Sequence, residues 1–94
     1  MAPLSDDEID QRLAGGEWRR EDATLVRDVQ CEGFSAAMTF ANRVADAANE
    51  ASHHPDILIH GYKHVRLTLS THSEGGVTDN DFALAAAIDA IKLA

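Results

Sequence analysis

The chain has 94 residues, which is the size of a single domain spanning residues 1–94, and a formal net charge of −8. Its 16 Asp and Glu residues outnumber 8 Lys and Arg residues, which argues against direct binding to nucleic acid or to an anionic membrane surface. No apolar run approaches the roughly 18 residues that span a bilayer. The acidic N-terminus does not have the pattern of a secretory signal, and the single Cys31 needs no oxidising compartment, so we expect a cytoplasmic protein.

The hydrophobic core is expected to be thin. Leu, Ile, Val and Phe together contribute 21 residues, whereas Ala alone contributes 16. A domain of this size buries only about 60–70% of the surface that its unfolded chain exposes. We therefore expect a partner surface, formed with a second copy of the chain.

The first half of the chain predicts a helix followed by two strands. Ser5 can accept a hydrogen bond from the backbone N–H of Glu8 in a capping box that Glu8 completes. The helix should end at the glycine pair 15–16. Residues 17–20 and 24–31 then predict two strands, because apolar and polar side chains alternate in the second.

Residues 34–52 form the clearest predicted helix, because apolar side chains recur at steps of three and four. Its buried face is predicted to hold Phe34, Met38, Ala41, Val44, Ala45 and Ala48. Pro55 restricts the residue before it to extended geometry, so the helix must end near His53.

Residues 56–62 and 64–71 alternate between apolar and polar side chains and predict two strands joined by a short hairpin. Thr78 is the predicted N-cap of the last helix. The inner face of that helix is predicted to hold Phe82, Ala85, Ile88 and Ile91. This order of elements predicts an α+β fold with a four-stranded antiparallel sheet and three helices packed on one face.

All five histidines lie between positions 53 and 72. His60 and His64 alternate with apolar strand residues, so we interpret them as exposed strand residues without a shared role. His53 and His54 lie at a helix end, and His72 lies where a strand enters a loop. If the hairpin returns His72 to the helix end, three imidazoles converge, and imidazole can give or take a proton at neutral pH.

The histidines have other possible interpretations. Surface histidines without a shared function remain the simple alternative. Their spacing matches none of the usual zinc patterns, so we expect no metal site.

The serines lie in no nucleophile elbow, and Cys31 has no base beside it in sequence. Asp81 lies three residues after Thr78, where it would complete a capping box, and this structural role does not exclude a site role.

One combination of residues resembles the pterin-4a-carbinolamine dehydratase family. It comprises residues 50–56 with the run His53-His54-Pro55, then Tyr62, residues 69–72, residues 75–78 and Asp81. The resemblance extends over most of the chain, since Trp18, the pair Gly33 and Phe34, and the final helix also match the family pattern.

The resemblance implies a 4a-hydroxytetrahydrobiopterin dehydratase. Such a lyase removes water from 4a-hydroxytetrahydropterin to give the quinonoid dihydropterin, which recycles the pterin used by aromatic amino-acid hydroxylases. It also implies a small-molecule pterin partner, no metal, no bound cofactor, and a homodimer or homotetramer.

The family pattern also implies roles for residues of this chain. The catalytic residues would be His53 and His72, which match the proposed general acids, and His54, which is mainly concerned with pterin binding. Asp81 matches an acidic position that orders a histidine or a ring nitrogen. The substrate-binding set would comprise Asn49, Ser52, His53, His54, Ser70, Thr71, His72, Ser73 and Asp81.

The chain departs from the family pattern before the first histidine. Asn49 stands where the family usually has an acidic residue, and Glu50 is turned by about 100° around the helix. Ser52 stands where Asp or Asn is common. These departures keep an alternative function open, a non-catalytic binding, dimerisation or assembly-factor protein on the same fold, although the histidine set favours the enzyme.

Overall fold

The computed structural model describes residues 2–93. Its elements are α1 (Asp6–Leu13), β1 (Arg19–Glu21), β2 (Thr24–Gln30), α2 (Phe34–Ala51), β3 (Asp56–His60), β4 (His64–Leu69), a short 3-10 turn (His72–Glu74) and α3 (Asp79–Asp89). The order of helices and strands is the one predicted from the sequence, and the boundaries differ by a few residues.

The four strands form one antiparallel sheet in the order β1-β2-β4-β3. The β3–β4 hairpin pairs residues from Asp56 opposite Thr68 to His60 opposite His64. β4 also pairs with β2, so β3 is left as an edge strand. Three helices pack on one face of the sheet, which confirms the predicted α+β fold.

Alternate residues of the two central strands carry the core. Val65, Leu67 and Leu69 of β4 have no exposed surface. Leu25 of β2 lies opposite Leu69, and Val29 lies opposite Val65. Each helix adds buried side chains to this cluster. The core is small, as the composition predicted, because most of it comes from aliphatic residues on one sheet face and on narrow helix stripes.

The predicted buried face of α2 was partly wrong. Val44 and Ala48 are buried as expected, but Phe34 and Met38 are 58% and 40% exposed. The buried stripe is instead Ala37, Phe40, Val44 and Ala48. A helix this rich in apolar residues offers two adjacent stripes about 60° apart, and the small side chains of the chosen stripe let α2 lie close to the sheet.

The helix caps follow the sequence prediction in part. Ser5 accepts from the N–H of Glu8 as predicted, but the Glu8 carboxylate pairs with Arg12 one turn later. Thr78 caps α3 with a complete capping box. The inner face of α3 also differs from the prediction, since Leu84 is buried and the helix ends at Asp89, before Ile91.

The C-terminus of α3 is tied to the sheet through Asp89. Its Oδ1 accepts from the indole Nε1 of Trp18 at 2.9 Å and from Nη1 of Arg27 at 2.6 Å. Trp18 is only 7% exposed, so its N–H needs a partner inside the protein. This contact holds α3 across the sheet and so fixes where its N-terminus lies. No helix among residues 2–93 is both long and apolar enough to cross a membrane.

The opposite face of the sheet carries a network of ion pairs. Asp28 of β2 accepts from Arg66 Nε at 2.7 Å and from Arg19 Nη1 at 2.8 Å, and Arg19 also pairs with Glu21. The hydrogen bond from Arg66 and that from Arg19 lower the pKa of Asp28, and desolvation opposes them. The network crosses three strands and links them on the face that no helix covers.

Asp28→Asn tests this network through the pH dependence of stability. The native pKa of Asp28 is lowered, so its carboxylate stabilises the fold above the unfolded pKa of about 3.9 and loses this effect as pH falls through the native value. Wild type should therefore exceed the variant in free energy of unfolding at pH 7, and the gap should close in acid. Urea denaturation between neutral and strongly acidic pH measures the gap.

Asp46→Asn is the matched control, since Asp46 lies exposed on α2. A gap between wild type and Asp28→Asn that stays constant with pH would contradict the assigned stabilisation.

Candidate active site

The end of α2 is shaped by Ser52, which adopts the left-handed conformation with φ 52° and ψ 39°. Its N–H returns to the carbonyls of Ala48 and Asn49, and the N–H of His53 also reaches Ala48. A left-handed residue at this position closes a helix. Asn and Asp tolerate this conformation better than Ser does, which explains why they suit position 52.

The side chains of His53 and His54 point in different directions, as expected from the break in the helix before Pro55. His53 is directed inwards, where its Nε2 lies 2.6 Å from Oδ1 of Asp81, and its side chain is 16% exposed. His54 lies at the surface, with its Nε2 3.1 Å from Oδ1 of Asn49. Asn49 therefore holds a histidine by an amide oxygen at the position where the family pattern has an acid.

Asp81 has no exposed surface. Besides His53, it accepts from the hydroxyl of Thr71 at 2.8 Å and from the backbone N–H of Thr78 at 2.9 Å. Burial of an unpaired carboxylate is expensive, and three donors compensate for the lost water. The same carboxylate thus caps α3, anchors the residue after β4 and contacts the histidine after α2.

The hydrogen bonds around Asp81 have a defined direction. A carboxylate only accepts, so Thr71 donates its hydroxyl hydrogen to Asp81 and must accept from the hydroxyl of Thr78, 2.8 Å away. By the same reasoning, Nε2 of His53 carries a hydrogen and donates it. The other ring nitrogen, Nδ1, makes no hydrogen bond within residues 2–93. When the ring is neutral, Nδ1 carries no hydrogen and can accept one.

His72 begins the 3-10 turn that follows Thr71. The bridge between Thr71 and Gly76 closes this turn, and the side chain of His72 is exposed. Thr71 and His53 share the carboxylate of Asp81, so the segments carrying His53 and His72 meet at one buried group. The structure therefore brings together the ends of α2 and β4, as the sequence analysis expected.

The remaining predicted residues surround this junction with different contacts. Ser70 donates its hydroxyl to the carbonyl of Ala23 at 3.0 Å, which ties it to the loop before β2. Ser52 and Ser73 are exposed. The hydroxyl of Thr78, which the sequence analysis treated only as a cap, was missed as part of the site. The Thr-x-x-Asp spacing was the available signal, but it predicts a helix start wherever it occurs.

His60 and His64 lie apart from this junction. They end β3 and begin β4 at the hairpin, whereas His53 and His72 flank the opposite end of the same strands. Tyr62 lies in that hairpin too and is 61% exposed. The division of the five histidines into two groups, made from the sequence, is thus the arrangement in the fold.

The histidine junction has buried and exposed members, since Asp81 has no exposed surface whereas His54 and His72 are exposed. A cavity of about 170 Å³ lies elsewhere, between α1 and α3, with Trp18, Phe82 and Asp89 among its lining residues. None of the predicted site residues lines that cavity. Within residues 2–93, no three His, Cys, Asp or Glu side chains are grouped so as to hold a metal ion.

Comparison with known proteins points to one family. A family profile described as pterin 4 alpha carbinolamine dehydratase matches residues 2–91. A protein of Chloroflexus aurantiacus, provisionally named pterin-4-alpha-carbinolamine dehydratase, is 49% identical over 92 residues, which cover 97% of this chain and 98% of that protein. A protein of Acidobacterium capsulatum with the same provisional name is 46% identical over 92 residues, 97% of this chain and 99% of the relative.

Solved structures show the same similarity. A transcriptional coactivator/pterin dehydratase from Brucella melitensis has a TM-score of 0.85 and 32% identity, covering 94% of this chain and 96% of that one. A pterin dehydratase-like protein described as a RuBisCO assembly factor in the alpha-carboxysome has a TM-score of 0.65 and 24% identity, covering 81% and 89%. The second likeness concerns the fold alone.

Substitutions at position 52 test the left-handed helix end. A side chain costs roughly 1–2 kcal/mol in this conformation, and a β-branched one suffers most. The free energy of unfolding should therefore fall in the order Ser52→Gly, wild type, Ser52→Val, with about 1–2 kcal/mol between Ser52→Gly and wild type and a further loss in Ser52→Val. Urea denaturation measures this order. Equal stability of all three proteins would show that the helix end is not held in the left-handed conformation.

Proposed function

The chain belongs to the pterin-4a-carbinolamine dehydratase family, and from this premise we propose that it dehydrates 4a-hydroxytetrahydropterin by histidine acid–base catalysis. The observation that carries the proposal is the contact of the half-buried His53 with the fully buried Asp81 at 2.6 Å. A fully buried carboxylate directed at a histidine is a common means of orienting a ring for proton transfer.

The reaction moves two protons. The C4a–O bond of the carbinolamine breaks as a proton is added to the hydroxyl group, which leaves as water. The electron pair of ring nitrogen N5 forms the C=N bond to C4a, and the proton on N5 is removed. One group must therefore give a proton while another takes one, and two imidazoles can do both near neutral pH.

The hydrogen bonds favour one division of these tasks. When the His53 ring is neutral, it donates from Nε2 to Asp81, and its Nδ1 is free to take the N5 proton. His72 is exposed and has no described partner, so it is available as the acid that protonates the leaving hydroxyl. Water returns both rings to their starting protonation after each turnover.

The other residues would hold the pterin in place. His54, steadied by Asn49, would contact the ring system, and the exposed backbone around Ser52 and Ser73 would border it. Asp81 is fully buried, so we assign it to positioning His53 rather than to contact with the substrate. The pterin is neutral, so the chain's net charge of −8 neither attracts nor repels it strongly.

Stopped-flow absorbance of 4a-hydroxytetrahydropterin decay tests the activity. Wild type should accelerate the decay, and His53→Gln or His72→Gln should each lower kcat by about 10²–10⁴-fold, the usual contribution of a general acid or base. Asp81→Asn should lower kcat with little change in KM, because it disturbs the orientation of His53 and not substrate binding.

Asp46→Asn, an exposed Asp-to-Asn change on α2, is the matched control and should keep wild-type kinetics. Circular dichroism should show that each variant is folded. If wild-type protein leaves the decay at its uncatalysed rate, the chain is no dehydratase. A rise in KM without a fall in kcat in His53→Gln would contradict a catalytic role for His53.

We also propose that the chain forms a homo-oligomer through the edge of its sheet. β3 pairs on one side only, and an unpaired edge can accept a further strand. The apolar residues Ile57 and Leu58 on β3 are 36% and 52% exposed, and Phe34 and Met38 of α2 are exposed as well. A thin core together with these uncovered side chains supports a second copy as the partner.

Light scattering at micromolar concentration tests the assembly. Wild type should have a mass that is a multiple of 10.2 kDa. Leu58→Lys should shift the mass towards the monomer, because a charged side chain on an edge strand opposes pairing. Leu93→Lys, at another exposed leucine, is the control and should leave the mass unchanged. A wild-type monomer would refute the proposal.

A further inference from the structure

The hairpin that joins β3 and β4 holds a second pair of histidines, which the proposed reaction does not use. His60 and His64 are directly opposite each other in the antiparallel ladder, so their side chains point to the same face of the sheet. This is the face that no helix covers. Their ring centroids are 5.4 Å apart and their planes are inclined by 24°.

The backbone of this pair is fixed by a tight turn. Gly61 has φ 54°, and the N–H of Lys63 returns to its carbonyl at 2.7 Å. The positive φ favours glycine at position 61, where a Cβ would also lie in a tight contact, 3.1 Å from Cδ2 of His64. The turn therefore holds the two histidines in register.

The rings themselves are free. Within residues 2–93, neither ring of His60 and His64 makes a hydrogen bond to the protein, unlike His53 with Asp81 and His54 with Asn49. His60 is exposed and His64 is half-buried. Two imidazoles with unengaged nitrogens on a fixed backbone are available to an external ligand.

The chemistry of this pair suits a transition-metal ion. Neutral imidazole is the commonest metal ligand in proteins, and it is suited to copper, nickel and zinc ions. The rings lie nearly parallel, so turning the exposed His60 ring would direct one nitrogen of each towards a shared ion. Two protein ligands leave the other coordination positions to water. The acidic chain, with a net charge of −8, attracts cations.

We propose that His60 and His64 bind a divalent transition-metal ion of the copper, nickel and zinc class, at a site separate from the His53 and His72 junction. The ion fastens the edge strand β3 to β4 at the hairpin end. This site is independent of the dehydratase reaction, and its occupancy stabilises the folded chain by mass action.

Thermal denaturation in metal-free buffer, with increasing NiCl₂, tests the site. Tm of wild type should rise with nickel concentration and return to its starting value when EDTA is added. The double variant His60→Gln/His64→Gln should show no rise. MgCl₂ should have no effect on any protein, because magnesium prefers oxygen ligands.

Two further measurements separate this site from the other histidines. The double variant His54→Gln/His72→Gln should keep the nickel-induced rise in Tm. In proton NMR spectra of wild type, traces of paramagnetic CuCl₂ should broaden the imidazole signals of His60 and His64 before those of the other three histidines. The NMR experiment needs no variant, so it remains informative if a double variant is poorly folded.

Three outcomes would overturn the proposal. If the Tm of wild type does not change up to millimolar NiCl₂, no such site exists. An equal rise in Tm in His60→Gln/His64→Gln would place the ion elsewhere. Loss of the rise in His54→Gln/His72→Gln, or earlier broadening of His53, His54 and His72, would assign the ion to the catalytic histidines.

Discussion

The buried carboxylate of Asp81 is the group on which the rest of the junction depends. It accepts from the backbone that starts α3, from the threonine that follows β4 and from the histidine that follows α2. A carboxylate without exposed surface tolerates burial only if its oxygens are fully hydrogen-bonded. Each of the three segments is therefore held in place by a hydrogen bond to Asp81. The orientation of His53 follows from its hydrogen bond to this buried carboxylate.

The fold delivers these segments to one point by simple means. α2 covers the sheet with a narrow stripe of small and apolar residues, and its left-handed end at Ser52 turns the chain towards β3. The hairpin then reverses direction, so β4 ends where β3 began. At the far end of α3, Asp89 ties the helix to Trp18 and Arg27, which fixes the position of its N-terminus. The site thus depends on contacts well away from it.

The two ends of the hairpin carry different chemistry for the same topological reason. Residues at its open end meet the helix termini, where hydrogen-bonding groups are available to orient His53 and His54. His60 and His64, at its closed end, stack on each other, and the exposed ring is that of His60. We propose proton transfer by His53 and His72 at the open end and binding of an external ion by His60 and His64 at the closed end. The uncovered sheet edge beside them supports association with a second copy.

The sequence by itself determined the order of helices and strands, the caps at Ser5 and Thr78 and the helix end before Pro55, because these features depend on neighbouring residues. It also determined the family, because a set of residues at particular spacings carries the resemblance. Only the tertiary structure decided which stripe of α2 is buried, since an alanine-rich helix presents two, and packing selects the one that fits the sheet. It also decided that Asp81 caps a helix and holds His53 at once, because residues 28 positions apart meet only in the folded chain.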